Sequence, residues 1–149
     1  MVRKILMAAL FGFITLAASS QVYAQADVVE KRQKLMKSQS AAAKAIKGAV
    51  EAKDYATIEA KAKDLMGTAD RIPELFPKGS NTGKTKAKAE IWDKSDEFAK
   101  HSKALKKAAT ELADAAKSKD DAAINVKVKA IGGTCSSCHK AFRASKYAE

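Results

Sequence analysis

The chain has 149 residues and carries 28 Lys and Arg against 17 Asp and Glu, a formal net charge of +11. With an N-terminal targeting segment set aside, that length makes one domain and is too short for two. A positive surplus suits nucleic acid, an anionic membrane or an acidic protein partner. The first residues, which direct export, argue against nucleic acid.

Arg3 and Lys4 form a positive n-region, Ile5 to Ala18 is an uncharged apolar run, and Ser19-Ser20-Gln21-Val22-Tyr23-Ala24 has the small residues that a signal peptidase requires. Residues 1–24 therefore read as a signal peptide cleaved after Ala24, with Ala26 as the second choice. The run of 14 residues falls short of the roughly 20 that span a bilayer. Residues 25–149 form the mature, periplasmic domain, with 26 Lys and Arg against 17 Asp and Glu, a net +9. The lysines are dispersed at helical intervals and read as solvated helix faces.

A first helix is expected from Asp27, which has the N-cap spacing to Glu30, to about Ala52. Val29, Met36, Ala43 and Val50 recur every seven residues along it, with Val28, Leu35, Ala42 and Ile46 beside them, as a buried stripe. Asp54 is suited to cap a second helix with Ile58, Ala62, Leu65, Met66, Ala69 and Ile72 inward, ended or tightened by Pro73. From Pro77 to about Lys88 the composition turns to Gly, Ser, Asn, Thr and Lys and reads as a solvated connection.

A third helix carries Ile91, Phe98, Leu105 and Leu112 at strict seven-residue spacing and ends near Ser118. Asp120 is positioned to cap a fourth, which presents Ile124, Val128, Ile131, Cys135, Cys138 and Phe142. No segment alternates as a strand does. The expectation is an all-α, antiparallel up-down-up-down four-helix bundle, its helices up to about 38 Å long. Alanine on the inward stripes thins the core and leaves room for a bulky group between the helices.

The chemistry sits in the fourth helix. Cys135-Ser136-Ser137-Cys138-His139 has the spacing of c-type haem attachment, in which both thiols add to vinyl groups and the following histidine ligates iron. On a helix, residues three and four apart share a face, so all three meet one ring. A thioredoxin-type pair belongs after a strand, and none is present. A structural zinc needs four ligands, and a disulfide closing so small a loop stabilises little. One covalent haem c with its iron is the remaining cofactor. Gly132 and Gly133, each costing about 1 kcal/mol mid-helix relative to Ala, suggest close approach of the porphyrin or a facing helix.

Ile131-Gly-Gly-Thr-Cys135-Ser-Ser-Cys138-His139-Lys-Ala-Phe142-Arg143, near the C-terminus of a four-helix exported chain, resembles the class II c-type cytochromes, the cytochrome c′ family. Arg32 followed four residues later by Met36, Leu75-Phe76-Pro77 and Glu90-Ile91-Trp92 share the resemblance. It implies either a high-spin haem with one protein ligand and an open distal side for small gases, or a low-spin haem with a first-helix methionine as second ligand. The run Lys31 to Lys37 looks more like the low-spin branch. The resemblance also implies that Arg143 lies near the proximal side of the haem and that Arg32 belongs to the cofactor site.

Met36 is thus the sequence's choice of sixth ligand, with His139 opposite. Its bland alternative is core filling, and Met66 and His101 are the other candidates. The function expected is electron transfer with a redox protein bearing an acidic patch. An open site for nitric oxide or carbon monoxide is the first alternative, and a cofactor-free helical binding module is the second. With two histidines in all, no nucleophile paired with a base and no carboxylate cluster for metal, no enzyme activity is expected. The mature chain is expected to be no integral membrane protein, and either a monomer or a homodimer.

Overall fold

A computed structural model describes the backbone of residues 2–81 and 83–145, and the side chains of 27–81 and 83–145. The expected signal segment 1–24 and both cleavage positions lie outside the residues whose side chains are described. The elements are α1 (Val2–Glu51), α2 (Tyr55–Asp70), a 3-10 turn (Pro73–Leu75), a short α3 (Glu90–Asp93), α4 (Ser95–Lys117) and α5 (Asp121–Phe142). Among the described residues no helix is long and apolar enough to cross a membrane.

The two hairpins are built alike. Residues 52–54 join α1 to α2 and residues 118–120 join α4 to α5, each with a Lys at positive φ (Lys53, 52°; Lys119, 56°) followed by an Asp. Asp54 accepts from the Thr57 amide at 3.0 Å, and Asp120 from the Ala123 amide at 2.9 Å, so both expected N-caps form. Turns this short make each hairpin antiparallel. Lys53 and Tyr55 then reach across to Asp121 at 2.9 and 3.0 Å and tie the first hairpin to the start of α5.

The seven-residue row of the third expected helix is buried as spaced, whereas on α1 the row Val29, Met36, Ala43 and Val50 is buried only at Val29, the other three are half-buried, and the neighbouring row carries the core. Ile91, Phe98, Leu105 and Leu112 are buried in a row, as are Leu35, Ala42, Ile46 and Ala49 on α1 and Ile58, Ala62, Leu65 and Ala69 on α2. The α4 helix packs against both α2 and α5, and α1 packs against α2. By contrast, α1 and α5 touch at few points. The bundle is a ring of four helices left open along one seam.

Three boundaries differ from expectation. The first helix does not start at Asp27: no Gly or Pro interrupts the chain there, and the helix is continuous from Val2. Asp27 and Glu30 instead pair with Lys31 and Lys34 one turn on, at 2.5 and 2.6 Å. The third helix is broken at Lys94 (φ −122°, ψ 47°), which separates α3 from α4. The connection after Pro77 is not wholly solvated, because Ser80 and Thr85 are buried at 1% and 3% exposure. Ser80 is held by Arg32 of α1, which is remote in sequence, whereas the Thr85 hydroxyl accepts from Ala87 N at 3.1 Å within the loop.

Candidate functional site

The open seam between α1 and α5 is a cavity of about 680 Å³, within the roughly 300–1,000 Å³ of ligand pockets. Ile46, Leu65, Ile72, Phe98 and Leu105 supply its apolar floor. All six site residues expected from the sequence line it: Arg32 and Met36 from α1, Cys135, Cys138 and His139 from α5, and Arg143 just beyond the end of α5. Met66 packs against the core outside the cavity.

Helical spacing explains the α5 contribution. Ile124 and Ile131 are buried as anchors, and four residues beyond Ile131 the half-buried thiols of Cys135 and Cys138 begin the last two turns, which end in Phe142. Neither thiol is in a disulfide. Burial holds the Cys135 thiol above its usual range, and burial followed by the charge of Cys135 pushes Cys138 up to about 11. Both are protonated at neutral pH, the form that has a hydrogen to give when a thiol adds across a double bond. His139 is lowered, first by burial and then by the Arg143 cation. A neutral imidazole keeps a lone pair for a metal.

The end of α5 is fastened by the loop. Lys88 N donates to the Phe142 carbonyl at 3.1 Å, Ala144 N to Lys86 O at 2.8 Å, and Ala87 forms an antiparallel bridge with Arg143. The Lys88 ammonium donates to the Lys140 and Ala141 carbonyls at 3.3 and 3.2 Å, satisfying acceptors that a helix end leaves free. Phe142 stacks edge-on with Phe98 at 5.3 Å, and Phe98 with Phe76 at 4.9 Å, so the cavity wall is rigid. His101 of α4 also lines the cavity. Its ring meets Phe142 at 5.6 Å, and its Nδ1 lies 3.4 Å from the Ser137 hydroxyl.

Arg32 is only 3% exposed, yet no carboxylate among the described residues pairs with it. Its guanidinium donates to the carbonyl and, at 3.3 Å, to the hydroxyl of Ser80, and lies 4.8 Å from the centre of the Phe76 ring. Burial lowers its pKa, but a guanidinium stays charged. Ser80 and Thr85 are the residues that sequence reasoning missed. A serine in a Gly-, Asn- and Lys-rich stretch carries no local sign of a partner 48 positions away.

Neither expected close approach to the glycines comes from protein. A Cβ added at Gly132 or Gly133 would meet nothing within 4 Å. Gly132 lines the cavity.

These residues fit a haem. The cavity is large and mostly apolar, two unpaired thiols and an imidazole share one helix face, and a buried cation lacks an acidic partner for a carboxylate-bearing ligand. Comparison with known proteins agrees. A family model described as Cytochrome C′ matches residues 27–143. Cytochrome c′ of Rhodospirillum rubrum is 36% identical over 146 residues, covering 95% of this chain and 99% of that one. Cytochrome c-556 of Agrobacterium fabrum is 34% identical over 148 residues, 97% of each chain. The structure of cytochrome c′ from Rhodopseudomonas palustris superposes with a TM-score of 0.73 at 30% identity, covering 80% of this chain and 98% of that one. The chain belongs to the cytochrome c′ family of four-helix c-type cytochromes and carries covalently attached haem c.

Proposed function

We propose that this is a periplasmic mono-haem cytochrome in which Cys135 and Cys138 hold the haem, His139 is the protein's ligand to iron, and the distal side is open to a small gas such as nitric oxide or carbon monoxide. The observation that carries the choice is the run of relatives named cytochrome c′, 33–36% identical over 77–96% of the chain. Of the two branches that the family resemblance implies, we take that name to mark the one with one protein ligand and an open distal side. It weighs against the sequence's first choice, in which Met36 closes the sixth position.

The residues have distinct parts in this reading. Bound haem supplies the iron that changes oxidation state and holds the gas. Met36 of α1 lines the distal side as an apolar, polarizable wall. Phe98 and Phe142 exclude water from the ring face, and Arg32 faces the cofactor's carboxylates. Burial, and after it the Arg143 cation at the cavity edge, favours a neutral His139. No protein group makes or breaks a bond, so the protein acts as a gas binder and electron carrier and not as an enzyme.

A second reading keeps Met36 as axial ligand and makes the protein an electron shuttle. It is favoured by one specific observation, that Met36 is half-buried on the same cavity as His139. Methionine is a weak donor that favours ferrous iron, so its ligation raises the potential of a haem. Visible spectra of both oxidation states separate the two. The expected result is a high-spin spectrum, carbon monoxide uptake by the reduced protein, and no change of spin state in Met36→Ala. A low-spin spectrum with a sulfur-to-iron charge-transfer band, lost in Met36→Ala, would overturn the first reading in favour of the second.

A further inference from the structure

The charge of this protein is not spread evenly. Residues 31–50 of α1, residues 75–89 of the loop and residues 122–145, from the second residue of α5 to just beyond its end, together hold 14 Lys and Arg and no Asp or Glu. Every acid of the mature chain lies outside those three segments, and α2 and α4 carry seven of them. All three acid-free segments line the cavity, to which α2 and α4 contribute apolar residues together with His101 and Ser102. Lys37, Lys47, Lys86, Arg32 and Arg143 all line it, and no acidic residue does. Helical periodicity does not require this, since α2 and α4 solve the same solvation problem with mixed signs. Lys61 pairs with Asp64, and Lys106 of α4 pairs with Asp70 of α2.

We propose that the α1–α5 seam is a docking surface for an acidic protein partner that exchanges electrons with the haem. The inference rests on the haem reading above. It adds which face the partner uses. Low-dielectric walls around a field of one sign focus that field and raise encounter rates. A partner drawn to Lys37 and Lys47 is delivered to the side of the molecule where the cofactor is most accessible, because α1 and α5 do not close over it. One electron passes from the ferrous protein to an oxidised centre on the partner, or back, with no proton or bond transfer. Complementary charge sets orientation and on-rate more than affinity. An anionic membrane could be drawn by the same cations. The position of the acid-free segments around the cofactor cavity, and not on an outer face, favours the redox protein.

The test uses two double variants with the same change of net charge in the haem-loaded protein. Lys37→Glu/Lys47→Glu reverses charge at the seam, and Lys103→Glu/Lys117→Glu reverses it on α4. Two probes are applied as functions of salt: binding of a fluorescent glutamate-rich peptide, and oxidation of the ferrous protein by hexacyanoferrate(III). At low salt the seam variant should lose roughly tenfold in both and show a flatter salt dependence, while the α4 variant changes less than about twofold. Equal effects of the two variants would mean that only net charge matters and would overturn the proposal. So would seam-dependent binding to phosphatidylglycerol vesicles without any change in peptide binding or oxidation, which would assign the face to a membrane. Covalent haem staining and the visible spectrum of each variant keep the two levels apart: loss of haem in the parent sinks the functional reading, whereas normal haem with undifferentiated variants sinks the docking surface alone.

Discussion

Arg32 on α1 is held by Ser80, 48 residues later, through both the carbonyl and the hydroxyl of that one residue. The Ser80 hydroxyl donates in turn to the Pro77 carbonyl at 2.8 Å, and the Trp92 indole donates to the Phe76 and Pro77 carbonyls at 3.0 and 2.8 Å. The loop is thus organised around a buried cation. Arg32→Ala should cost about 2–3 kcal/mol, since it removes charge-assisted bonds and leaves the Ser80 carbonyl buried without its donor. Ser80→Ala, which keeps that carbonyl, should cost about 1 kcal/mol. Chemical denaturation measures both. Equal costs would show that the loop does not depend on the cation.

The cofactor should be a structural element as well as a functional one. A cavity of about 680 Å³ along the seam is far too large for the helices to close by relaxing. Cys135→Ala/Cys138→Ala should show no haem stain on a denaturing gel. Without the ring the chain should keep its helical circular dichroism and lose a sharp thermal transition, as loosely packed bundles do. A cooperative transition in the haem-free variant would show that the apolar floor suffices.

Much of this was legible in the sequence, for a physical reason. Stripes such as Ile91, Phe98, Leu105 and Leu112 are local periodicities, and a helix buries them on one face whatever it packs against. Asp54 and Asp120 cap through neighbours three residues away. Cys135, Cys138 and His139 share a face by spacing alone. The burial of Ser80 was hidden because it depends on Arg32 and on the fold that brings α1 to the loop. The break at Lys94 and the continuity through Asp27 were hidden because capping residues also serve as ordinary helix residues with i,i+4 partners.

Asp121 links stability to pH. Its carboxyl is held below the usual aspartate range by the bonds from Lys53 and then Tyr55, with desolvation opposing. A lowered folded pKa stabilises the fold above the unfolded value of about 3.9, and that contribution disappears as pH falls through the lower folded value. Lys53 and Tyr55 are raised, chiefly by the same bonds to Asp121. Their contributions are present below their unfolded values of about 10 and are lost as pH rises past them. Asp121→Asn should therefore lower the thermal midpoint most at intermediate pH, where all three contributions are present, and converge on the parent at the acid and alkaline ends, so that the profile is flatter. A profile that runs parallel to the parent's as pH falls would exclude the cluster as a determinant of acid stability.

The two adjacent glycines of α5 separate bundle stability from cofactor binding. Both lie within the helix and neither needs a positive φ. With nothing within 4 Å of either added Cβ, replacing Gly by Ala should gain helix propensity of up to about 1 kcal/mol. Gly133 lies off the cavity, so Gly133→Ala should raise the thermal midpoint of the haem-loaded protein. Gly132 lines the cavity beside Ile131 and Cys135, where the methyl would enter space that the protein leaves free for the ring. Gly132→Ala should therefore lose that gain and shift the haem absorption bands, with Gly133→Ala leaving the bands in place. If Gly132→Ala stabilises as fully as Gly133→Ala with an unaltered spectrum, the ring does not approach α5 at that turn, and the glycine pair has no part in seating it.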